Sequence, residues 1–340
     1  MIKKVLLTYL FAISLFSINF FPKNSNLWEN TFSVNGDITI FSQLSLKDKK
    51  RLKHSFSTDL EISANLNRNF SLFIHFENGK GKGFQNINDM ISANVNEDIL
   101  DTNFNVKITE LYLEKIFSNN LTISAGKLDP TNYLDQNKFA NDETTQFFTT
   151  PFKYNISIDM PDNAMGMDLE KKITKNIYIN TLLISEERYK NHRFEGKFIS
   201  TQVKVNIKKF NFRTFVWKNS MKKTGFGMNL DGEFENFGIF FRTGKNSGKK
   251  EGIKKVISFG TNLKGKMWKR EKDEIGLGIF LGFPDRYGKS CEKISEIYYK
   301  IKVWNNLFLS FNSQLILNSL YPDNNRKNFF FMGIRTFIFF

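Results

Sequence analysis

The chain has 340 residues, with 49 Lys and Arg against 34 Asp and Glu and a formal charge of +15. Its single cysteine, Cys291, excludes an intrachain disulfide framework and any cysteine-cluster metal site. Six prolines, and 38 phenylalanines within an aromatic share of 15 %, favour extended aromatic-rich β-structure over disorder or a helical bundle.

At the N-terminus Lys3 and Lys4 precede an apolar run from Val5 to Phe16, interrupted only by Thr8 and Ser14. A basic start followed by a dozen apolar residues has the build of a secretory leader, placed here at residues 1–20. The run is shorter than the roughly 20 apolar residues of a transmembrane helix, and a buried N-terminal helix is the alternative. No Ala-x-Ala between Ser17 and Ser25 marks a cleavage point, and no cysteine follows to carry a lipid. Residues 21–340 contain no Pro/Gly/Ser-rich linker and read as a single domain.

From Phe56 to Leu66 the even positions are Phe, Thr, Leu, Ile, Ala and Leu, and the odd ones are Ser57, Asp59, Glu61, Ser63 and Asn65. Period two with one apolar and one polar face is a strand whose two sides meet different surroundings. The same alternation runs through Ile199–Ile207, Ile275–Leu281 and Ile297–Val303. Sixteen strand candidates start near residues 31, 55, 69, 104, 120, 164, 176, 197, 209, 224, 236, 255, 273, 294, 306 and 328. A soluble sandwich also alternates, so the links between strands decide. Short turns at 67–69, 118–120, 174–176, 208–209, 231–235 and 305–306 alternate with longer loops, of which 79–103 and 128–163 are the longest. The links at 219–223 and 266–272 fit this rule least well. Short turns on one rim and long loops on the other are the layout of a transmembrane antiparallel β-barrel, all-β and of about sixteen strands. The chain then ends on an amphipathic strand whose even positions run from Phe330 to Phe340. Closure of this strand onto the first removes an apolar edge.

The longest loop opens with Gly126-Lys127-Leu128-Asp129-Pro130, then carries Tyr133, Asp135 and Asn137 before Phe139-Ala140-Asn141-Asp142-Glu143-Thr144-Thr145-Gln146-Phe147. Downstream come Pro161-Asp162-Asn163, Asp273-Glu274-Ile275-Gly276-Leu277-Gly278 and Glu296-Ile297-Tyr298-Tyr299-Lys300. Together these resemble the OprB-type carbohydrate-selective porins, and the pieces fall between residues 104 and 340. Asn318-Ser319 departs from the family's Asn-Pro and leaves the shape of the last long loop open. The resemblance implies an outer-membrane channel that passes small sugars and related polar solutes, with no enzymatic activity.

A loop of this length is expected to fold into the lumen and narrow it. Candidate constriction residues are Lys127, Asp129, Tyr133, Asp135, Asn141 and Asp142 on the loop, with Glu110, Arg213, Arg242 and Glu296 inward-facing on strands. Amide, carboxylate and guanidinium groups suit sugar hydroxyls, and the Tyr133 ring offers a stacking face. The same Asp129, Asn141 and Asp142 also suit turn formation, in which case they bond loop backbone. Arg213 and Arg242 form either a basic wall opposite the acidic loop or ion pairs with neighbouring carboxylates. Glu110 faces inward only if a bulge separates it from Ile108, because Ile108 and Leu111 cannot share a face otherwise.

The basic balance drops by two charges if Lys3 and Lys4 leave with the leader. It fits an anion-preferring or general diffusion pore as the alternative function, or contacts with lipopolysaccharide phosphates. Lys47, Lys49, Lys50, Arg51, Lys249, Lys250, Lys254 and Lys255 are the basic groups of the predicted outer loops. Nucleic acid is not an expected partner, and the number of barrels per assembly stays open. The three histidines are His54, His75 and His192; only His75 lies well inside a strand, with Glu77 on the same face, and no nucleophile is marked beside it. No phosphate loop, zinc spacing or EF-hand pattern is present, so neither cofactor nor metal is expected.

Overall fold

The structure, a computed structural model, describes residues 32–46, 51–84, 91–96, 100, 105–188, 193–248, 253–284, 291–320 and 326–340. The expected leader, His192 and Lys47, Lys49, Lys50, Lys249 and Lys250 lie outside them.

Sixteen strands follow in order: β1 (Phe32–Ser45), β2 (Arg51–Asn67), β3 (Phe70–Gly81), β4 (Lys107–Phe117), β5 (Leu121–Leu128), β6 (Ala164–Thr174), β7 (Ile177–Arg188) and β8 (Arg193–Ile207). They continue as β9 (Phe210–Lys218), β10 (Thr224–Glu233), β11 (Phe237–Asn246), β12 (Ile253–Lys264), β13 (Glu274–Pro284), β14 (Glu292–Lys302), β15 (Leu307–Leu320) and β16 (Arg326–Phe339). Each pairs antiparallel with its sequence neighbours, and β1 pairs with β16, so the sheet closes. Phe340 exchanges both backbone hydrogen bonds with Gly36, at 2.9 and 3.0 Å, and seals the seam at the last residue. Every strand begins within four residues of its expected start. The largest offsets, at Arg51 and Arg193, arise because the backbone ladder runs on past the apolar alternation into charged sequence.

Large apolar side chains cover the outside over most of the circumference, among them Ile199, Val216, Phe241, Ile279, Phe311 and Ile334. A water-soluble barrel would not expose so extended an apolar surface, whereas hydrocarbon accepts it. Along β16 the even positions from Phe330 to Ile334 lie outside and Phe331, Gly333 and Arg335 lie inside, as the terminal alternation required. Among the described residues no helix is long and apolar enough to cross a membrane; the strands make the crossing.

The two irregular links keep their places, with five residues at 219–223 and nine at 265–273, the latter built on a 3-10 turn at Gly265–Trp268. One expected turn shrinks. Asp231, expected at the start of the 231–235 link, stays in β10 opposite Asn211, where its carboxylate takes a hydrogen bond from Arg213 inside the barrel. At Asn318-Ser319 the ladder of β15 slips register between Ile316 and Ser319, with Asn318 at a φ of 58°. Asparagine tolerates that left-handed conformation, so the departure from Asn-Pro is accommodated as a bulge.

Candidate functional site

The link from β5 to β6, residues 129–163, folds into the lumen and lies against the wall from β7 round to β16, with Phe148 also packed edge-on to Phe41 of β1. Its start is fixed by its own turn chemistry. The Asp129 carboxylate accepts from the Thr131 backbone N–H at 2.8 Å and caps a 3-10 turn at Pro130–Asn132. Glu110 on β4 holds this turn, accepting from Asp129 N at 3.2 Å and from Asn132 Nδ2 at 3.1 Å. It reaches the lumen through the bulge expected from Ile108 and Leu111: register slips between His75 and Phe76, which pair with Glu110 and Ile108.

Asp135 is the centre of the loop's attachment. It sits at a φ of 62°, fully buried, with Arg242 Nε of β11 at 3.0 Å from its Oδ2. Asn155 N and Asn229 Nδ2 each donate to its carboxylate at 2.8 Å. The other Arg242 nitrogens donate to the carbonyls of Phe152, Asp135 and Lys153 and to Asn141 Oδ1. Glu296 of β14 accepts from Phe148 N at 2.6 Å and Thr149 N at 3.0 Å, and Arg335 of β16 donates to the carbonyls of Glu143 and Gln146 at 2.8 Å. Each charge is stripped of water and met by several partners, the condition under which buried charge is tolerated.

Apolar docking completes the attachment. Phe147 and Phe152 pack together with ring centroids 4.7 Å apart, against Phe240 and Tyr298. Inward glycines make room: a Cβ on Gly238 would lie 2.3 Å from the Phe139 ring, and one on Gly278 would lie 2.7 Å from that of Phe152. A second inward segment, residues 91–96, joins this core through Ile91 and Ala93. It is bonded to the loop by Val95 N to Phe148 O at 2.8 Å and Ser92 N to Thr150 Oγ1 at 2.9 Å.

The wall from β1 to β3 is different. Asp37, Asp59 and Glu77 stand directly opposite one another in ladder register, and Glu61, His75 and Glu110 form the adjoining row. Asp37, Asp59, Glu61, His75 and Glu77 are only half-buried. Facing them is the polar edge of the loop, where Lys153 Nζ meets Glu143 Oε1 at 2.5 Å. Burial alone would lower the Lys153 ammonium, but Glu143, Asp129 and, from the opposite wall, Glu77 outweigh it and hold the group above its ordinary value. Burial raises the Glu143 carboxyl, and Lys153 counteracts that. Asp142 is likewise an electrostatic neighbour of Asp37.

The expected site residues divide accordingly. Asp135, Arg242 and Glu296 do not face open lumen: Arg242 and Glu296 are buried beneath the loop because it lies over their strands, and Asp135 is buried on the loop's underside against Arg242. Arg213 is paired with Asp231, so the paired arrangement holds there and no basic wall faces the loop. Asn141 and Asp142 bond the loop itself. Asp142 accepts from Thr144 N at 2.8 Å and Thr145 N at 3.1 Å, while Asn141 N donates to Gln146 Oε1 at 2.9 Å. Asp142 is nonetheless exposed. Tyr133 is half-buried edge-on to Tyr112 at 6.4 Å, and Lys127 Nζ donates to Ile108 O at 2.6 Å. Glu143 is among the hydrogen-bonding groups that the sequence offers on the loop, and Glu77 is read on the same face as His75, whereas Asp37, Asp59 and Lys153 are not singled out as site residues. The signals for Asp59 and Glu77 are the acidic odd positions of β2 and the parity of β3.

A closed antiparallel barrel with an apolar outer belt and a loop clamped across its lumen defines an outer-membrane protein of the porin class. Residues 229–340, from the middle of β10 to the end of the chain, match the carbohydrate-selective porin OprB family. The resemblance read from the motifs therefore stands, and that family is one of channels rather than enzymes. An uncharacterized protein of Aquifex aeolicus (strain VF5) is 27 % identical over 227 residues, 61 % of this chain; the match spans 63 % of that relative's length. The high-pH structure of Pseudomonas putida OprB is similar with a TM-score of 0.77 at 13 % identity, covering 92 % of this chain and 95 % of that one. Its low-pH structure gives 0.62 at 14 % identity, covering 92 % and 94 %. At such identities the likeness is one of fold.

Proposed function

We propose that the barrel lets small polar solutes diffuse passively across the bacterial outer membrane, with carbohydrates as the preferred cargo. The carrying observation is the loop, clamped to one side of the lumen; we place the opening it leaves between its Glu143–Lys153 edge and the half-buried Asp37, Asp59 and Glu77 of the facing wall. Carboxylates and an ammonium around a narrow aqueous path offer sugar hydroxyls both acceptors and donors, while weak multiple contacts let the solute leave. The alternative of an anion-selective pore is less well supported, because Arg213, Arg242 and Arg335 are paired or buried under the loop. The basic groups near the long-loop rim, Arg51, Lys254 and Lys255, suit contact with lipopolysaccharide phosphates. Their neutralisation should lower lipopolysaccharide binding.

Planar-bilayer conductance tests the main reading. Glucose should reduce the ion current in a concentration-dependent way, and Lys153→Ala or Asp142→Ala should weaken the block. Strong anion selectivity without any sugar effect would favour the alternative, and absence of channels would remove both.

A further inference from the structure

We propose that Asp59, His75 and Glu77 form a binding site for a divalent transition-metal cation of the zinc type on the lumen wall. Residue spacing along the chain carries no metal motif; strand pairing assembles the site, since Asp59 and Glu77 are cross-strand neighbours and His75 is two residues before Glu77. One ligand atom from each of the three side chains lies within 4.8 Å of the other two. The Asp59 Oδ1 to His75 Nε2 distance is 3.3 Å. Ligands about 2.0–2.2 Å from a common zinc ion stand roughly 3–4 Å apart; Glu77 Oε1 lies 3.6 Å from His75 Nδ1, so its carboxylate has to turn toward Nε2 to complete the set.

Two further observations point to a ligand. The Nε2 atom of His75 is buried and has no hydrogen-bond partner among the described residues, its approach to Asp59 lacking hydrogen-bond geometry. Asp37, Asp59 and Glu77 are also directly opposed along the ladder, an arrangement that repels unless a cation intervenes. His75 stands among these carboxylates, 3.3 Å from Asp59 and 3.6 Å from Glu77 and Glu110, and a bound metal ion would take over the charge balance that a protonated imidazole otherwise supplies. Lys153 is engaged by Glu143, and Lys107, in register with Glu77, makes no ion pair among the described residues. Glu110 Oε1 shares the Nδ1 side of the imidazole with Glu77, also at 3.6 Å, and would orient the ring there once Glu77 has turned to the ion.

One imidazole and two carboxylates suit zinc and its first-row neighbours better than magnesium or calcium, which take oxygen ligands. Three protein ligands in an aqueous lumen leave positions for water, so the ion is exchangeable. Bound there, it places positive charge against the opening and narrows it for cations. The inference on conductance rests on the channel reading; the binding itself does not.

Equilibrium dialysis of the folded, detergent-solubilised full chain against Zn2+ tests the site directly, with folding of each variant checked by heat-modifiable gel migration. One Zn2+ should bind per barrel, and His75→Ala and Glu77→Gln should each weaken it on the order of 10- to 100-fold. Should one variant fail to fold, the other still reads the site. Micromolar Zn2+ should then lower single-channel conductance in the parent protein and less so in the variants, with Mg2+ inactive. No stoichiometric binding, binding unchanged in the folded variants, or equal effects of Mg2+ and Zn2+ would overturn the site. Binding without any channel would leave the site standing and remove the porin reading.

Discussion

From β11 to β16 the inward faces carry glycines, aromatics and fully buried charges that meet the loop; from β1 to β3 they carry Asp37, Asp59, Glu61, His75 and Glu77, half-buried beside the opening. Both walls obey the same period-two alternation. Their difference lies in what the inward residue touches: a clamp where backbone carbonyls and N–H groups meet the buried charges, or an edge where like charges stand opposed. A charge under the loop is an anchor, and the same charge on the far wall acts on whatever passes.

Breaking the clamp should have the largest effect. Arg242→Ala leaves Asp135 buried without its counter-charge, a loss of about 3–5 kcal/mol by the usual cost of breaking a buried pair. Thermal unfolding should shift downward, and single-channel records should become noisier, with higher conductance from an unseated loop. Gly238→Ala forces the Phe139 ring away, costing about 1–3 kcal/mol as overpacking does. Its conductance should rise with less noise than in Arg242→Ala, since the ionic anchors remain. Glu296→Gln keeps the shape but loses the charged acceptor for two backbone N–H groups, for roughly 1–3 kcal/mol.

On the open wall the expectation reverses. Asp59→Asn removes one of three opposed carboxylates and should leave unfolding almost unchanged while moving the reversal potential toward anions. A large loss of stability there, with no change in selectivity, would erase the distinction between the walls. Smallest of all is Asp142→Ala, which loosens an exposed turn and should cost at most about 1 kcal/mol, the ordinary scale of a lost local hydrogen bond.

The strands were legible because a barrel wall separates hydrocarbon from the lumen residue by residue, and that separation is written as period two. Even the Glu110 bulge was readable, since Ile108 and Leu111 could not otherwise share the outer face. Which inward residues meet solute was not legible in the same way. Arg242 and Asp59 have equivalent local patterns, and their fates differ only because the loop's aromatics find glycines on β11 and β13 and none on β2. That choice is made by contacts about 90–150 residues apart in sequence, such as Phe152 with Arg242 and Phe148 with Glu296. The clue, in hindsight, was the inward series Gly276, Gly278 and Gly282, small side chains where a lumen wall had no need of them. Lys153 stayed hidden because it ends a four-residue helix, Thr150–Lys153, inside a loop with no periodicity to read.

The spacing of those clamps has a consequence for the order of events during insertion. The loop is delivered with the first half of the chain, but its seats on β11, β14 and β16 arrive last, Arg335 only five residues before the end. A growing sheet therefore carries an undocked, aromatic-rich segment until its final strand is in place. The gate is finished at the same moment as the wall around it, so a barrel that stalls before β16 is both unsealed and unfiltered, and its exposed phenylalanines mark it for removal.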